Sequence, residues 1–186
     1  MMESIEHATV DELSEKMDWL LESPKDGGVV RGIVVRPDTD ERKELKQARL
    51  SPEGGVEGDR WASTAQRKLK DGRLNPDVQV TLTNARLIEV LAKDRANWSL
   101  SGDQLYVDMD LSMENLQPGQ RLAIGTTVLE ISEVPHRGCS KYTSRFGKAA
   151  FDLVDSARGR ELRFRGVYAQ IVTEGTLALG DQIRKI

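Results

Sequence analysis

The residues best suited to chemistry lie together in one stretch, residues 130–147. It holds the only cysteine of the chain, Cys139, and one of its two histidines, His136. Arg137 and Lys141 lie two positions before and after the cysteine. Because cationic neighbours favour the thiolate, which is the nucleophilic and metal-binding form, this pattern indicates a reactive or metal-ligating thiol. The alternative interpretation is a small, buried apolar residue.

Three chemistries are open to such a thiol. A protease-like pair needs a histidine within reach of the sulfur and a third residue to orient it, and His136 is close to Cys139 in sequence. A structural zinc site needs about four ligands, and Cys139, His136 and the distant His7 fall short of that number. The third is a thiolate that binds a soft metal or carries sulfur, while basic residues hold an anionic cofactor around it.

Charge is distributed unevenly along the chain. The net charge is −3, but residues 1–23 carry −6 and residues 136–165 carry +5. Clustered guanidinium groups bind phosphates and other oxoanions, so the basic segment predicts a site for an anionic ligand, with Arg163 and Arg165 as further candidates for phosphate binding. The alternative is a solvated face of a helix and its flanking strand.

The flanking patterns place Cys139 between a strand and a helix. Residues 127–133 alternate as a strand does, and residues 146–157 have apolar side chains at helical spacing. From residue 28 onwards the chain has many short strand patterns, glycine turns between them and only two internal helices. This favours a mainly β fold, a barrel or a sandwich, over an alternating β-α layer fold.

The other elements are predicted from local patterns. The further strands are predicted at 29–37, 45–50, 78–83, 104–107, 121–124, 167–173 and 182–186. A helix capped by Asn84 is predicted to run to about residue 96. Residues 61–77 are predicted to form a long loop, since they contain little apolar material.

A glycine-rich turn at residues 51–60 is the second notable stretch. Its glycines, Gly58 among them, permit unusual backbone angles and close approach of a ligand. Asp59 and Arg60 place one charge of each sign beside it. As a pattern alone it is also typical of an ordinary turn between strands.

The chain before residue 28 is predicted to be an extension of the main domain. Residues 9–22 have the spacing of an amphipathic helix, with Thr9 and Glu12 as a capping box. We therefore predict a helical extension and linker over residues 1–27 and a β domain over residues 28–186. The helix is expected to pack over the end of that domain, and a homodimer contact is the alternative.

Composition excludes several classes of protein. A single cysteine cannot form an internal disulfide, no apolar run approaches the length of a membrane span, and the acidic start lacks the features of a secretion signal. We therefore expect a cytoplasmic protein with no membrane partner. The negative net charge argues against nucleic acid as a partner.

The order of these features resembles the MOSC domain, which is related to the C-terminal part of molybdenum cofactor sulfurases. The resemblance covers about residues 28–186 and depends on an ordered set with one cysteine, Cys139, in the matching place. The matching segments are residues 32–37, 58–60, 78–83, 105–111, 118–125 and 180–181.

This resemblance implies a mixed-strand β-barrel with a few helices and a pocket in which the cysteine meets the molybdenum cofactor. Some members reduce N-hydroxylated substrates, with molybdenum held by the pterin dithiolene and the protein cysteine, and others are thought to pass sulfur to metal centres. The chain would then be a molybdenum-dependent oxidoreductase or a sulfur carrier, served by an electron-donor or sulfur-donor protein. Nothing in the chain resembles the sulfurase domain that carries pyridoxal phosphate, so that cofactor is not predicted.

In this hypothesis Cys139 is the metal ligand, and Cys139 and His136 are the catalytic residues, with His136 suited to moving protons near neutral pH. The predicted cofactor-binding residues are Gly58, Asp59, Arg60, Asp103, Gln104, Arg137, Lys141, Arg163 and Arg165.

The sequence departs from the family pattern at two places. Gly138 stands where the family commonly has a proline, and Gly102-Asp103-Gln104 stands where it has glycine, arginine or glutamate, and asparagine. These departures predict a divergent member with a different ligand or without activity. The competing hypothesis is a non-catalytic β-barrel that binds an anionic metabolite or a protein partner.

Overall fold

Seven strands of the protein close into a mixed β-barrel. The computed structural model describes residues 5–64 and 68–186. In this part of the chain the strands are β1 (Gly28–Val35), β2 (Lys43–Glu44), β3 (Gln47–Ser51), β4 (Gly55–Val56), β5 (Val80–Asn84), β6 (Leu105–Asp108), β7 (Arg121–Ile124), β8 (Thr127–Ile131), β9 (Val167–Thr173), β10 (Gly175–Ala178) and β11 (Gln182–Lys185).

The barrel strands follow the order β11-β7-β8-β9-β5-β6-β1, and β1 pairs again with β11 to complete the ring. Strands β5 and β6 are parallel, and the other barrel pairs are antiparallel. Strands β10, β3 and β4 form a separate small sheet. The predicted mainly β fold is confirmed, and the barrel is the correct choice over the sandwich.

Several helices surround this barrel. They are α1 (Val10–Glu15), α2 (Met17–Leu21), α3 (Trp61–Thr64), α4 (Ala85–Ala92), α5 (Ser140–Asp155), α6 (Ala157–Glu161) and two 3₁₀ helices at Pro76–Val78 and Arg95–Ser101. Four of them, α1, α2, α4 and α5, share one apolar cluster with the barrel. Among the described residues no helix combines the length and the apolar character that a membrane span requires.

The predicted N-terminal helix is two short helices. Its capping box is confirmed, because the Thr9 hydroxyl accepts from the Glu12 amide and the Glu12 carboxylate accepts from the Thr9 amide. The predicted helix after Asn84 ends at Ala92 and is followed by a 3₁₀ helix. Short helices also interrupt the predicted loop over 61–77, of which residues 65–67 lie outside the described part.

Two apolar clusters hold these layers together. Alternate side chains of the barrel strands fill the interior, as Leu129 and Ile131 of β8 do. The second cluster lies between the barrel and the helices, where Leu13 and Leu20 of the extension pack with Phe146 of α5. The extension is therefore part of the same packed layer as the helix that follows Cys139.

Gly147 interrupts α5 after two turns. Its φ of 83° lies in the left-handed region, which glycine adopts without steric cost. A Cβ atom built on Gly147 would lie 2.6 Å from Nδ1 of His7. The N-terminal segment therefore lies directly against the kink of this helix.

Candidate functional site

Cys139 lies where the sequence predicts it, between a strand and a helix. Its backbone is extended at the N-cap position of α5, its carbonyl accepts from the Thr143 amide at 3.0 Å, and the residue is exposed. The helix begins at Ser140, six residues before the predicted start at Phe146. Lys141 is exposed on its first turn, and Arg137 is exposed in the loop before it.

The turn that follows the second 3₁₀ helix organises the site. Three consecutive carbonyls there, at residues 100–102, each accept a hydrogen bond from an arginine of a different element. Arg145 donates to Leu100, Arg165 to Ser101 and Arg36 to Gly102, at 2.9, 3.2 and 3.1 Å. Carbonyls at a helix C-terminus lack intrahelical partners and carry partial negative charge, so they attract guanidinium groups.

Asp103 follows this turn and is fully buried. Both of its carboxylate oxygens accept from Nη1 of Arg165, at 3.0 and 2.9 Å. The His136 Nδ1 lies 3.9 Å from Oδ1 of Asp103, and its ring stacks against Tyr168 with centroids 4.4 Å apart. The structure thus brings together three of the predicted site residues, Asp103, His136 and Arg165.

Tyr142 connects this group to the cysteine. The guanidinium of Arg165 lies over its ring at 4.7 Å, a cation–π contact. Burial raises the pKa of the Tyr142 phenol, Arg165 opposes that shift, and the charges of Asp103 and Cys139 add to it. Tyr142, three residues after Cys139, therefore contacts the guanidinium that pairs with Asp103.

Asp59 also holds an arginine. Its carboxylate accepts from Nε and Nη2 of Arg36 at 2.9 and 3.0 Å, and from the backbone amides of Arg36 and Trp61. Gly58 precedes it with a φ of 85°, and Arg60 donates to the Thr39 hydroxyl at 2.8 Å. Asp59 therefore acts on the site by fixing Arg36.

Arg42 completes a group of three arginines with Arg36 and Arg145. Burial, and after it the charges of Arg145 and Arg36, lower the pKa of the half-buried Arg42. Its Nε is buried without a hydrogen-bond partner among the described residues. We call Arg36, Arg42 and Arg145 the arginine triplet. Asp59 pairs with Arg36, and Asp40 lies 3.8 Å from Arg145, so Arg42 is the member of the triplet without a carboxylate within ion-pair distance in the described residues.

Two groups of predicted site residues lie elsewhere. Gln104 is fully buried, and its side chain bonds to Thr81 and to the Gln79 carbonyl, so it links strands within the barrel wall. Arg137 and Arg163 line a separate cavity together with the inner residues His136 and Arg165. Arg163 is half-buried and donates to the Leu116 carbonyl.

The arginine triplet is what sequence reasoning missed. Arg36 ends a strand pattern just before Pro37, and Arg145 lies six residues after Cys139, which is a position compatible with the same helix. No spacing rule joins either of them to Arg42. Only the folded turn at residues 100–102 brings two of these arginines together.

The two buried tyrosines make the folding stability of the protein depend on pH. Burial raises the pKa of Tyr106 and Tyr142 above their ordinary value of about 10. Above pH 10 the unfolded chain then loses protons that the folded chain keeps, so stability falls as pH rises, by up to ~1.4 kcal/mol per pH unit for each tyrosine.

We expect Tyr142→Phe to remove one of these contributions. Its hydroxyl is buried without a hydrogen-bond partner among the described residues, so the substitution leaves stability at pH 8 unchanged or higher. Urea unfolding at pH 8, 10 and 11 measures the difference between variant and wild type. A difference that does not grow with pH would contradict the buried, protonated state of Tyr142.

The protein is thus a closed mixed β-barrel with an exposed cysteine at the start of a helix. The sequence pattern of the MOSC domain matches residues 70–184, which is more than half of the chain. The chain therefore belongs to the MOSC domain family.

Solved structures share the fold at low sequence identity. The YUAD protein from Bacillus subtilis is 17% identical, with a TM-score of 0.56 over 84% of this chain and 94% of that one. YiiM from Escherichia coli is 15% identical, with a TM-score of 0.54 over 85% and 69%. YiiM from Geobacillus stearothermophilus is 12% identical, with a TM-score of 0.58 over 86% and 75%. No curated protein matches this chain.

Proposed function

We propose that this protein binds the molybdenum cofactor, with Cys139 as the protein ligand of the metal. The observation that carries the proposal is the arginine triplet, which lies beside the turn that also holds Asp103 and Arg165. The cofactor is an anion with a phosphate group, and guanidinium groups are suited to that charge. Family membership supports the same ligand.

The site residues fit this group on structural grounds. Arg42 Nε and the Tyr142 hydroxyl are both buried, and neither has a hydrogen-bond partner in the described part of the chain. A polar anionic ligand would supply such partners. Cys139 offers one exposed soft ligand, and in the described residues no group of three or more His, Cys, Asp or Glu side chains could hold a metal ion by itself.

When bound, the cofactor supplies a redox-active metal centre for reduction of an N-hydroxylated substrate. The residues of this chain then bind and orient it: Arg36, Arg42 and Arg145 hold the anionic part, and Asp59 fixes Arg36 through two hydrogen bonds. In this proposal His136, whose Nδ1 lies 3.9 Å from Oδ1 of the buried Asp103, is the residue that transfers a proton. Electrons come from a donor protein.

The second candidate is sulfur transfer through Cys139 to a metal centre of another protein. The exposure of Cys139 favours it, because a sulfur carried on the thiol must reach a partner. Here the donor is a protein that supplies sulfur, and mass spectrometry of Cys139 for a persulfide distinguishes this candidate from the first.

The cofactor proposal is tested by metal and pterin content after anaerobic purification from a molybdate-fed host. We expect molybdenum equimolar with the wild-type chain, lost in Cys139→Ala and retained in the control Ser140→Ala. Arg42→Gln should lower the pterin content, since it removes one guanidinium of the triplet. Wild-type protein without molybdenum or pterin would overturn the proposal and leave a sulfur carrier or a non-catalytic binding barrel.

A further inference from the structure

A second basic site lies beside the one proposed for the cofactor. It is a cavity of about 170 Å³ between the loop at residues 132–137 and the turn from α6 into β9. Cys139 and the arginine triplet do not line it. We call it the Arg163 pocket.

Its charged lining is strongly unbalanced. Four arginines, Arg137, Arg160, Arg163 and Arg165, face a single carboxylate, that of Glu133. Arg160 is paired with Asp155 at 2.8 Å, and Arg165 with Asp103. The other two, Arg137 and Arg163, have no carboxylate within ion-pair distance in the described residues.

Two of these arginines are exceptionally placed. Arg165 is only 8% exposed, and its Nε is buried with no hydrogen-bond partner in the part of the chain that the structure describes. Arg163 is half-buried, burial lowers its pKa, and its φ of 50° lies in the left-handed region that non-glycine residues avoid. Among the described residues its side chain donates one hydrogen bond, to the Leu116 carbonyl.

We propose that the Arg163 pocket binds a small free oxoanion, such as phosphate or sulfate. Its volume is below the ~300 Å³ at which pockets for larger organic ligands begin. A water molecule takes up ~30 Å³ in the liquid, so the pocket has room for only a few of them. Guanidinium groups bind oxoanions through paired, charge-assisted hydrogen bonds. In this proposal Arg137 and Arg163 bind the free anion, and the arginine triplet binds the cofactor.

The anion would contact the residues behind the cysteine. His136 and Arg165 line the pocket, and both also face Asp103. A bound oxoanion therefore places negative charge next to the group proposed to move a proton. The inference does not rest on cofactor binding, because its test uses the purified chain and a simple salt.

Calorimetric titration with inorganic phosphate, and separately with inorganic sulfate, at constant ionic strength tests the proposal. We expect saturable binding with one site per chain for the wild type. Arg163→Gln should weaken it about tenfold, because it removes a partly desolvated guanidinium, and Arg137→Gln by a smaller factor, because Arg137 is exposed.

Two control variants locate the anion. Arg158→Gln removes an exposed arginine of α6 that pairs with Glu161 and does not line the pocket. The phosphate affinity of this variant should stay at the wild-type value. Lys148→Gln, which removes an exposed lysine that pairs with Asp152 outside the pocket, should likewise leave phosphate affinity unchanged. Arg137→Gln keeps the test valid if Arg163→Gln does not fold.

Three outcomes would overturn the proposal. The first is the absence of saturable binding by the wild type. The second is a loss in Arg158→Gln equal to that in the pocket variants, which would indicate general charge attraction. The third is an unchanged affinity in both Arg163→Gln and Arg137→Gln, which would place the anion outside the pocket. Because no cofactor is measured, failure here is distinguishable from failure of the cofactor proposal.

Discussion

Replacing Asp103 with alanine is expected to lower the free energy of unfolding by about 3–5 kcal/mol. Asp103 is fully buried and accepts two hydrogen bonds from Arg165, which is itself 8% exposed. The substitution leaves a buried guanidinium without its carboxylate, and an unpaired buried charge is the costliest result of breaking such a pair. Urea unfolding measures the loss.

Matched variants separate this cost from other effects. Arg165→Met together with Asp103→Ala removes both charges, so the double variant should lose less than the sum of the two single losses. Glu161→Ala breaks the exposed pair with Arg158 and should cost no more than about 1 kcal/mol. A loss for Asp103→Ala as small as that of Glu161→Ala would show that Arg165 does not depend on this carboxylate.

Replacing Gly147 with alanine is expected to destabilise the protein by about 2–3 kcal/mol, of which the left-handed backbone accounts for about 1–2 kcal/mol. The rest arises because the new Cβ would lie 2.6 Å from Nδ1 and 2.8 Å from Cγ of His7. The N-terminal segment must then move away from α5. Thermal unfolding measures the total, and limited proteolysis at residues 5–22 reports the displaced segment.

Gly119 provides a control for the cost of a positive φ. Its φ is 85°, close to the 83° of Gly147, and a Cβ built on it meets no atom within 4 Å. Gly119→Ala should therefore show the conformational cost alone. The segment at residues 5–22 should stay as resistant to proteolysis as in the wild type. In the Gly147→Ala background, His7→Gly should remove the clash and recover that part of the lost stability. The part lost to the backbone conformation should remain. Equal losses in the two alanine variants would contradict the contact between His7 and the kink.

Most of the barrel could be predicted from the sequence, because its strands have one face in the core. Alternation in β8 and β9 places their apolar side chains inside; the predicted bounds of β9 match the structure, and the pattern predicted for β8 runs two residues past its end. Strand β10 was missed because it is short and begins at Gly175, which is typical of a turn. The start of α5 was missed since the polar residues 140–145 contain one buried apolar residue, Tyr142.

The site was less predictable than the fold. The position of Cys139 follows from a strand pattern and a helix pattern on either side of it. The ion pairs do not follow from patterns, because Asp59 and Arg36 are 23 residues apart and Asp103 and Arg165 are 62 apart. The path of the chain between strands decides which of the predicted arginines lie near the cysteine. Local spacing in the sequence carries no information on that path.

The pairing of β1 with β11 has a consequence for how the protein is made. Gly28 lies opposite Ile183, so the last seam of the barrel joins residues from the two ends of the domain. A chain leaving the ribosome cannot form that seam until its final strand has emerged, and contacts of such long sequence separation form slowly. The edges of β1 and β7 that pair with β11 therefore stay open until that strand is available.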